Sequence, residues 1–276
     1  NNPAGRQLRT LGYGEVSVVV GWPFERPRFA FKRMPPFPDR ERAERYAQTV
    51  RIYTKKLESR GISVIPGREE VLQTAHGWVL YLVQPACTPG TLVSDILASD
   101  APNPDHPIIH QVLDLAATAD RDLGLDAQLS NWMWSEGRVH MLDLGTPFMR
   151  DTQGAFVLDI DVILSPYPAA IRPAMRRWIV PDVLERYHRP RDVTLDLIAN
   201  CLRKHIHGWV DPILEAARGR YAPEISREEV DRYYESEKQL WVTILRAKRL
   251  NRWWQRNIRR RQYPFLLPDP SEVRWD

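Results

Sequence analysis

The strongest constraint on this fold is a change of periodicity at Gln84-Pro-Ala-Cys-Thr-Pro-Gly90. Ahead of this connector the apolar residues alternate in short, β-branched runs, whereas beyond residue 91 nearly everything repeats at three- and four-residue steps or reads as loop. The chain is therefore expected to be α+β. A small antiparallel sheet with one helix occupies an N-terminal lobe, 1–83, a hinge covers 84–90, and a larger, mostly helical lobe takes 91–276.

Residues 8–22 alternate around Gly12 and Gly14, with Val16, Val18, Val19 and Val20 on the far side, which predicts strand, turn and strand. The segment from Pro23 to Pro27 turns the chain again, and Phe29-Ala-Phe-Lys32 predicts a third strand on which Ala30 and Lys32 share one face. After Pro35, Pro36 and Pro38 a helix is expected over 39–60, capped near Asp39 and closed by Gly61. Ala43, Tyr46, Ala47, Val50, Tyr53, Thr54 and Leu57 fall on one face of it. Strands at 62–65, 71–72 and 78–83 follow, the last continuously apolar and so central.

In the second lobe a helix is expected over 108–121, then a loop to Asn131, then two short strands at 132–134 and 139–142 joined through Ser135-Glu-Gly137. A hairpin folds the chain back on itself, so Asn131 and Asp143 at its two ends should meet. Further helices are expected at 167–187, 192–217 and 226–262.

A chain of 276 residues with 43% hydrophobic content can bury a sizeable core. No run approaches the ~18 consecutive apolar residues that cross a bilayer, and Asn1 to Thr10 lacks the apolar segment of a secretory signal. No membrane partner and a cytoplasmic location are expected. Cys87 and Cys201 stand far apart without metal-ligand spacing, and read as two buried thiols. Six of the 39 basic residues are lysine, which makes Lys32 conspicuous. From Arg246 to Arg261 there are eight basic residues and no acidic one, with Trp253 and Trp254 between them. This stretch is either a patch for an anionic partner, nucleic acid or a phosphorylated metabolite, or a solvated helix face whose tryptophans pack inward.

The residues suited to phosphate chemistry come in one order: Gly12-x-Gly14-x-x-Ser17, Lys32, Asp126-x-x-x-x-Asn131 and Asp143-Leu-Gly145. A glycine loop can wrap triphosphate oxygens, a strand lysine can neutralise two of them, and an Asp/Asn pair with a later Asp can hold a substrate hydroxyl and Mg²⁺. Each fragment alone is common. Together they point to ATP-dependent phosphoryl transfer.

From Leu11 to about Met149 the chain resembles the protein-kinase-like superfamily, specifically its aminoglycoside- and choline-kinase-like branch of small-molecule phosphotransferases. Leu11–Ser17 resembles the glycine-rich loop, Phe29–Lys32 the strand with the phosphate lysine, Gln84–Gly90 the hinge, Gly124–Asn131 the catalytic loop and Leu142–Gly145 the metal-binding turn. The resemblance implies a bilobal kinase-like fold with ATP and Mg²⁺ as cofactors. It makes Asp126 the catalytic carboxylate and Asn131 and Asp143 the metal ligands. Gly12, Gly14, Ser17, Lys32, Gln84 and Ala86 then contact the nucleotide, with a helix glutamate, Glu44 or else Glu41, orienting Lys32.

The chain departs from the pattern in having Gly124 where the catalytic-loop His stands, a loss that favours the regulatory alternative below, and in having no Ala-Pro-Glu segment after Asp143, a lack that favours a small hydroxylated or amine-bearing acceptor over a protein. The alternative is a kinase-fold regulatory protein that binds nucleotide without turnover. Asp159, Asp161, Glu224, Glu228, Glu229 and Asp231 are candidates to meet a cationic acceptor.

Overall fold

The structure is a computed structural model that describes residues 8–14, 17–75, 77–88, 90–260 and, beyond these, 263, 265 and 267. Val16 of the glycine turn, His76, Pro89 of the connector and Arg261 of the basic stretch lie outside the described residues. Five antiparallel strands form the N-terminal sheet: β1 (Arg9–Tyr13), β2 (Val18–Trp22), β3 (Phe29–Phe37), β4 (Arg68–Thr74) and β5 (Gly77–Pro85). Their order is β1-β2-β3-β5-β4, so β5 is interior, as its unbroken apolar run implies. In the register Lys32 lies opposite Val19 on one side and Leu82 on the other.

Helix α1 (Arg40–Ser59) follows β3. Asp39 caps it, its side chain accepting from the Arg42 N–H at 2.7 Å, and this satisfies one of the orphan amides of the first turn. Ala43, Tyr46, Ala47, Val50, Tyr53 and Leu57 are buried along its inner face, and burying each of the larger side chains contributes about 1.5–3 kcal/mol. Gly61 closes the helix at φ +79, a left-handed conformation that a side chain would resist.

One hydrophobic core runs from Met34 and Phe37 of the sheet, through α1, into the helical remainder. The predicted strand at 62–65 does not join the sheet. It bridges instead to the second lobe, with Ile65 N–H donating to Met141 O at 3.0 Å and Met141 N–H to Ser63 O at 2.8 Å.

The remainder is mostly helical. Helices α2 (Val93–Ser99) and α3 (Pro107–Ala116) precede the hairpin β6 (Trp132–Ser135) and β7 (Arg138–Met141). Its turn uses Glu136 at φ 52 and Gly137 at φ 77, a pair of positive angles that suits a tight two-residue hairpin. Then come α4 (Ile160–Leu164), α5 (Arg172–Trp178), α6 (Val180–Arg186), α7 (Pro190–Arg203), α8 (Val210–Ala216) and α9 (Arg227–Asn257). Two expected long helices are therefore broken. Pro181, which has no N–H to donate, starts α6 after a break at Ile179. His205 at φ 58 separates α7 from α8. Among the described residues no helix is long and apolar enough to cross a membrane. Cys201 is buried, its thiol pushed up to about 12 by desolvation, while Cys87 is only half-buried.

Candidate functional site

The sheet and the hairpin meet at Lys32. Its ammonium, on β3, makes an ion pair with the carboxylate of Asp143, just past β7. The lysine side chain is 14% exposed and the aspartate 32%. Burial alone would raise the Asp143 carboxyl, but the charge and hydrogen bond of Lys32 and the Gly145 N–H outweigh it and hold the carboxyl below its ordinary value. The Gly145 N–H donates to Asp143 Oδ1 at 2.9 Å, and the buried Tyr46 hydroxyl of α1 donates to Gly145 O at 2.8 Å. A Cβ on residue 145 would stand 2.8 Å from Lys32 Nζ, so glycine there is what lets the lysine reach its partner.

The loop before the hairpin carries the second pair. Leu142 N–H donates to Asn131 O at 2.8 Å, so the hairpin does bring the two expected metal positions side by side. The buried Asn131 side chain donates from Nδ2 to Asp126 O at 3.3 Å, which leaves its carbonyl oxygen as the atom for a cation. Among the described residues no three His, Cys, Asp or Glu side chains cluster as a ready metal cage. One carboxylate and one amide oxygen suit Mg²⁺, which keeps waters and phosphate oxygens in its remaining positions.

Among the described residues no cation pairs with Asp126. Its Oδ1 accepts the Gln128 N–H at 3.2 Å, and desolvation followed by the charges of Asp196 and Asp143 pushes its carboxyl up to about 7. The loop around it is clamped from three sides. Tyr53 OH donates to Gly124 O at 3.0 Å, Gly124 N–H to Phe148 O at 2.7 Å, and Leu125 N–H to Tyr187 O at 2.8 Å. The room that a side chain at Gly124 would need is taken, since a Cβ there would stand 2.9 Å from both His188 Nε2 and Phe148 Cβ. An imidazole therefore does abut the loop, supplied from far downstream.

The remaining residues expected to contact a nucleotide are placed unevenly. Gly12 pairs with Val19 within the β1–β2 ladder, and Gly14 N–H donates to Ser17 O at 3.0 Å, closing the turn over a buried Ser17. Gln84 is part of β5 rather than of the connector, and its side chain donates to Ile65 O at 3.2 Å. Ala86 N–H is already bonded to Arg28 O at 3.0 Å, so that donor is not free for a base.

Glu44 does not orient Lys32. Its carboxylate pairs with Arg40 one turn earlier, at 2.7 Å on the exposed face of α1, and Glu41 pairs with Arg45 in the same way. The inward positions of that helix belong instead to Tyr46 and Arg42. Arg42 donates from Nε and Nη2 to the two oxygens of Asp159 at 2.5 and 2.7 Å, and from Nη2 to Asp161 at 2.7 Å. Asp159 and Asp161 thus tie α1 to α4 rather than face an acceptor. Glu229 holds Arg191, and Asp231 holds Arg227.

A cleft does open beside Asp126, lined by Ala127, Gln128, Arg186, Asp196, Tyr233 and Glu237, among others. Asp196 of α7 accepts from Gln128 Nε2 and from the Tyr233 hydroxyl, each at 3.1 Å. Burial and then the charge of Asp196 raise the Glu237 carboxyl despite Arg186 at 3.1 Å. Asp196 went unnoticed in the sequence although it carries a signal, a lone carboxylate within the apolar run Val193-Thr-Leu-Asp-Leu-Ile-Ala199.

Residues 1–252 match a family described as a family of unknown function, DUF6206, and the chain belongs to that family. A comparison with curated proteins finds no match.

Proposed function

We propose that this DUF6206 protein is an ATP- and Mg²⁺-dependent phosphotransferase acting on a small hydroxylated or amine-bearing molecule, on a bilobal kinase-like fold. One observation carries the reading: Lys32 of the sheet is paired with Asp143 just past the hairpin, where Asn131 O meets Leu142 N–H and the Asp143 charge reaches Asp126. The sheet with its single helix, followed by a helical remainder, agrees with the resemblance. Bound Mg²⁺ would screen the triphosphate charge and expose its terminal phosphorus to attack.

Each residue then has a distinct task. Asn131 and Asp143 would hold Mg²⁺, and Lys32 would pair with the triphosphate oxygens. Asp126 accepts a hydrogen bond from the acceptor hydroxyl, aims its oxygen and takes its proton late. The acceptor enters the cleft that Asp196, Tyr233 and Glu237 line, and the setting is the cytoplasm, where ATP is supplied.

A second reading has its own support. With Glu44 turned away and Ala86 N–H occupied, the site fits a nucleotide-binding regulatory protein without turnover. ADP release across a panel of amines, sugars and alcohols separates the two. Acceptor-dependent release supports the transferase, and a Mg·ATP-induced thermal shift with no release on any acceptor supports the regulator.

A further inference from the structure

Helix α9 is divided by charge. Its acidic residues end at Glu237, whereas Arg246, Arg249, Arg252 and Arg256 populate its final turns and Arg259 and Arg260 follow. Several arginines elsewhere pair with carboxylates, as Arg42, Arg186, Arg191, Arg220 and Arg227 do. Among the described residues the six at the end of α9 pair with none. Leu245, Lys248 and Asn251 face the core, and Asn251 donates to Pro166 O at 2.8 Å. The opposite face presents Leu250 at 61% exposure, Trp253 at 52%, Trp254 at 49% and Ile258 at 52%. Leu250, Trp254 and Ile258 follow one another at four-residue steps, a continuous outward stripe, and Arg249 and Arg256 stand one turn either side of Trp253.

The expected inward packing of the tryptophans is thus not found: the buried stripe is on the other side. From this arrangement we infer that the end of α9 is a docking face for an anionic lipid surface. Two features choose that occupant. Leu250 and Ile258 have no base to stack on or phosphate to meet, but they suit the acyl boundary into which an amphipathic helix sinks its apolar side, with tryptophan at headgroup level. The unpaired arginines complement anionic headgroups, and the same charges disfavour a second copy of this face. A helix lying on the surface requires no span. The inference is independent of the phosphotransfer reading.

The test is co-sedimentation of the full chain with vesicles of phosphatidylcholine alone, and of phosphatidylcholine with phosphatidylserine. Binding is expected only to the second, falling steeply with salt. Arg249→Ala and Arg256→Ala should each lower the partition roughly fivefold. Trp254→Ala with Ile258→Ser should lower it by about tenfold or more while the thermal melt stays unchanged, because both side chains are exposed. Failure to bind anionic vesicles, or equal binding by the stripe variant, overturns the inference. So does retention on single-stranded nucleic acid that exceeds vesicle binding at the same salt and survives Ile258→Ser.

Discussion

The loop before the β6–β7 hairpin and the turn after it place similar carboxylates in opposite circumstances. At the hairpin end Asp143 has Lys32 and the Gly145 N–H, and its carboxyl is held down; on the loop side Asp126 faces Asp196 and Asp143 with no cation paired to it among the described residues, and its carboxyl is pushed up to about 7. Both are desolvated, so burial does not distinguish them. One lysine does. A compensated carboxylate is suited to holding a metal at neutral pH, and an uncompensated one is suited to accepting a proton near it.

The largest effect that would break this contrast is on turnover. Asp126→Asn keeps shape and hydrogen bonding but removes the charge, so turnover on an accepted substrate should fall by roughly 10²-fold or more, with Mg·ATP affinity little changed. Steady-state kinetics beside nucleotide titration checks this, and near-normal turnover in the variant would remove Asp126 from catalysis.

A smaller effect is expected on stability. Lys32→Met strands the Asp143 carboxylate and should cost about 1–2 kcal/mol at pH 7, discounted because Asp143 is 32% exposed. Asp143 has a folded-state pKa below its unfolded one, so its contribution is present above the unfolded value and is lost as pH falls through the folded value. The gap between variant and wild type should therefore narrow in acid. Denaturant melts at pH 7 and pH 3 check both size and direction.

Asp126 should behave in the opposite sense. Its folded pKa lies above the unfolded value near 3.8, so its contribution is fully present below that value and is lost as pH rises toward about 7. In the metal-free protein, Asp126→Asn should then gain about 1 kcal/mol or more over wild type at pH 8 and nothing at pH 3. Parallel melts that keep a constant difference across this range would show that the loop carboxylate is not strained by its neighbours.

The smallest expected effect concerns Glu44. As one half of an exposed pair one turn apart, it should shift stability by less than about 0.5 kcal/mol when changed to Gln, and leave nucleotide affinity untouched. A large loss of affinity would restore it as the partner of Lys32.

The sequence carried local order well and long-range register poorly. Alternation around Gly12 and Gly14, the cap at Asp39 and the turn at Glu136-Gly137 are set by neighbours within a few residues, and strands, helix and hairpin appear where those signals stand. The meeting of Asn131 with the Asp143 end of the hairpin was legible for the same reason. Glu44 was misplaced because a helix offers several acidic positions, and only packing decides which face turns inward; here Tyr46 and Tyr53 take it. The cleft next to the Asp126 loop was missed because Asp196, Tyr233 and Glu237 converge on Gln128 from two distant helices. No spacing within the sequence records that convergence.

The most direct test of the central claim is calorimetric titration of ATP, with and without Mg²⁺, into wild type and Lys32→Ala. The account predicts saturable binding that requires Mg²⁺ and weakens by about tenfold or more in the variant, since the lysine proposed to neutralise the phosphates is gone. Equal binding by both proteins, or no nucleotide bound by either, would contradict it.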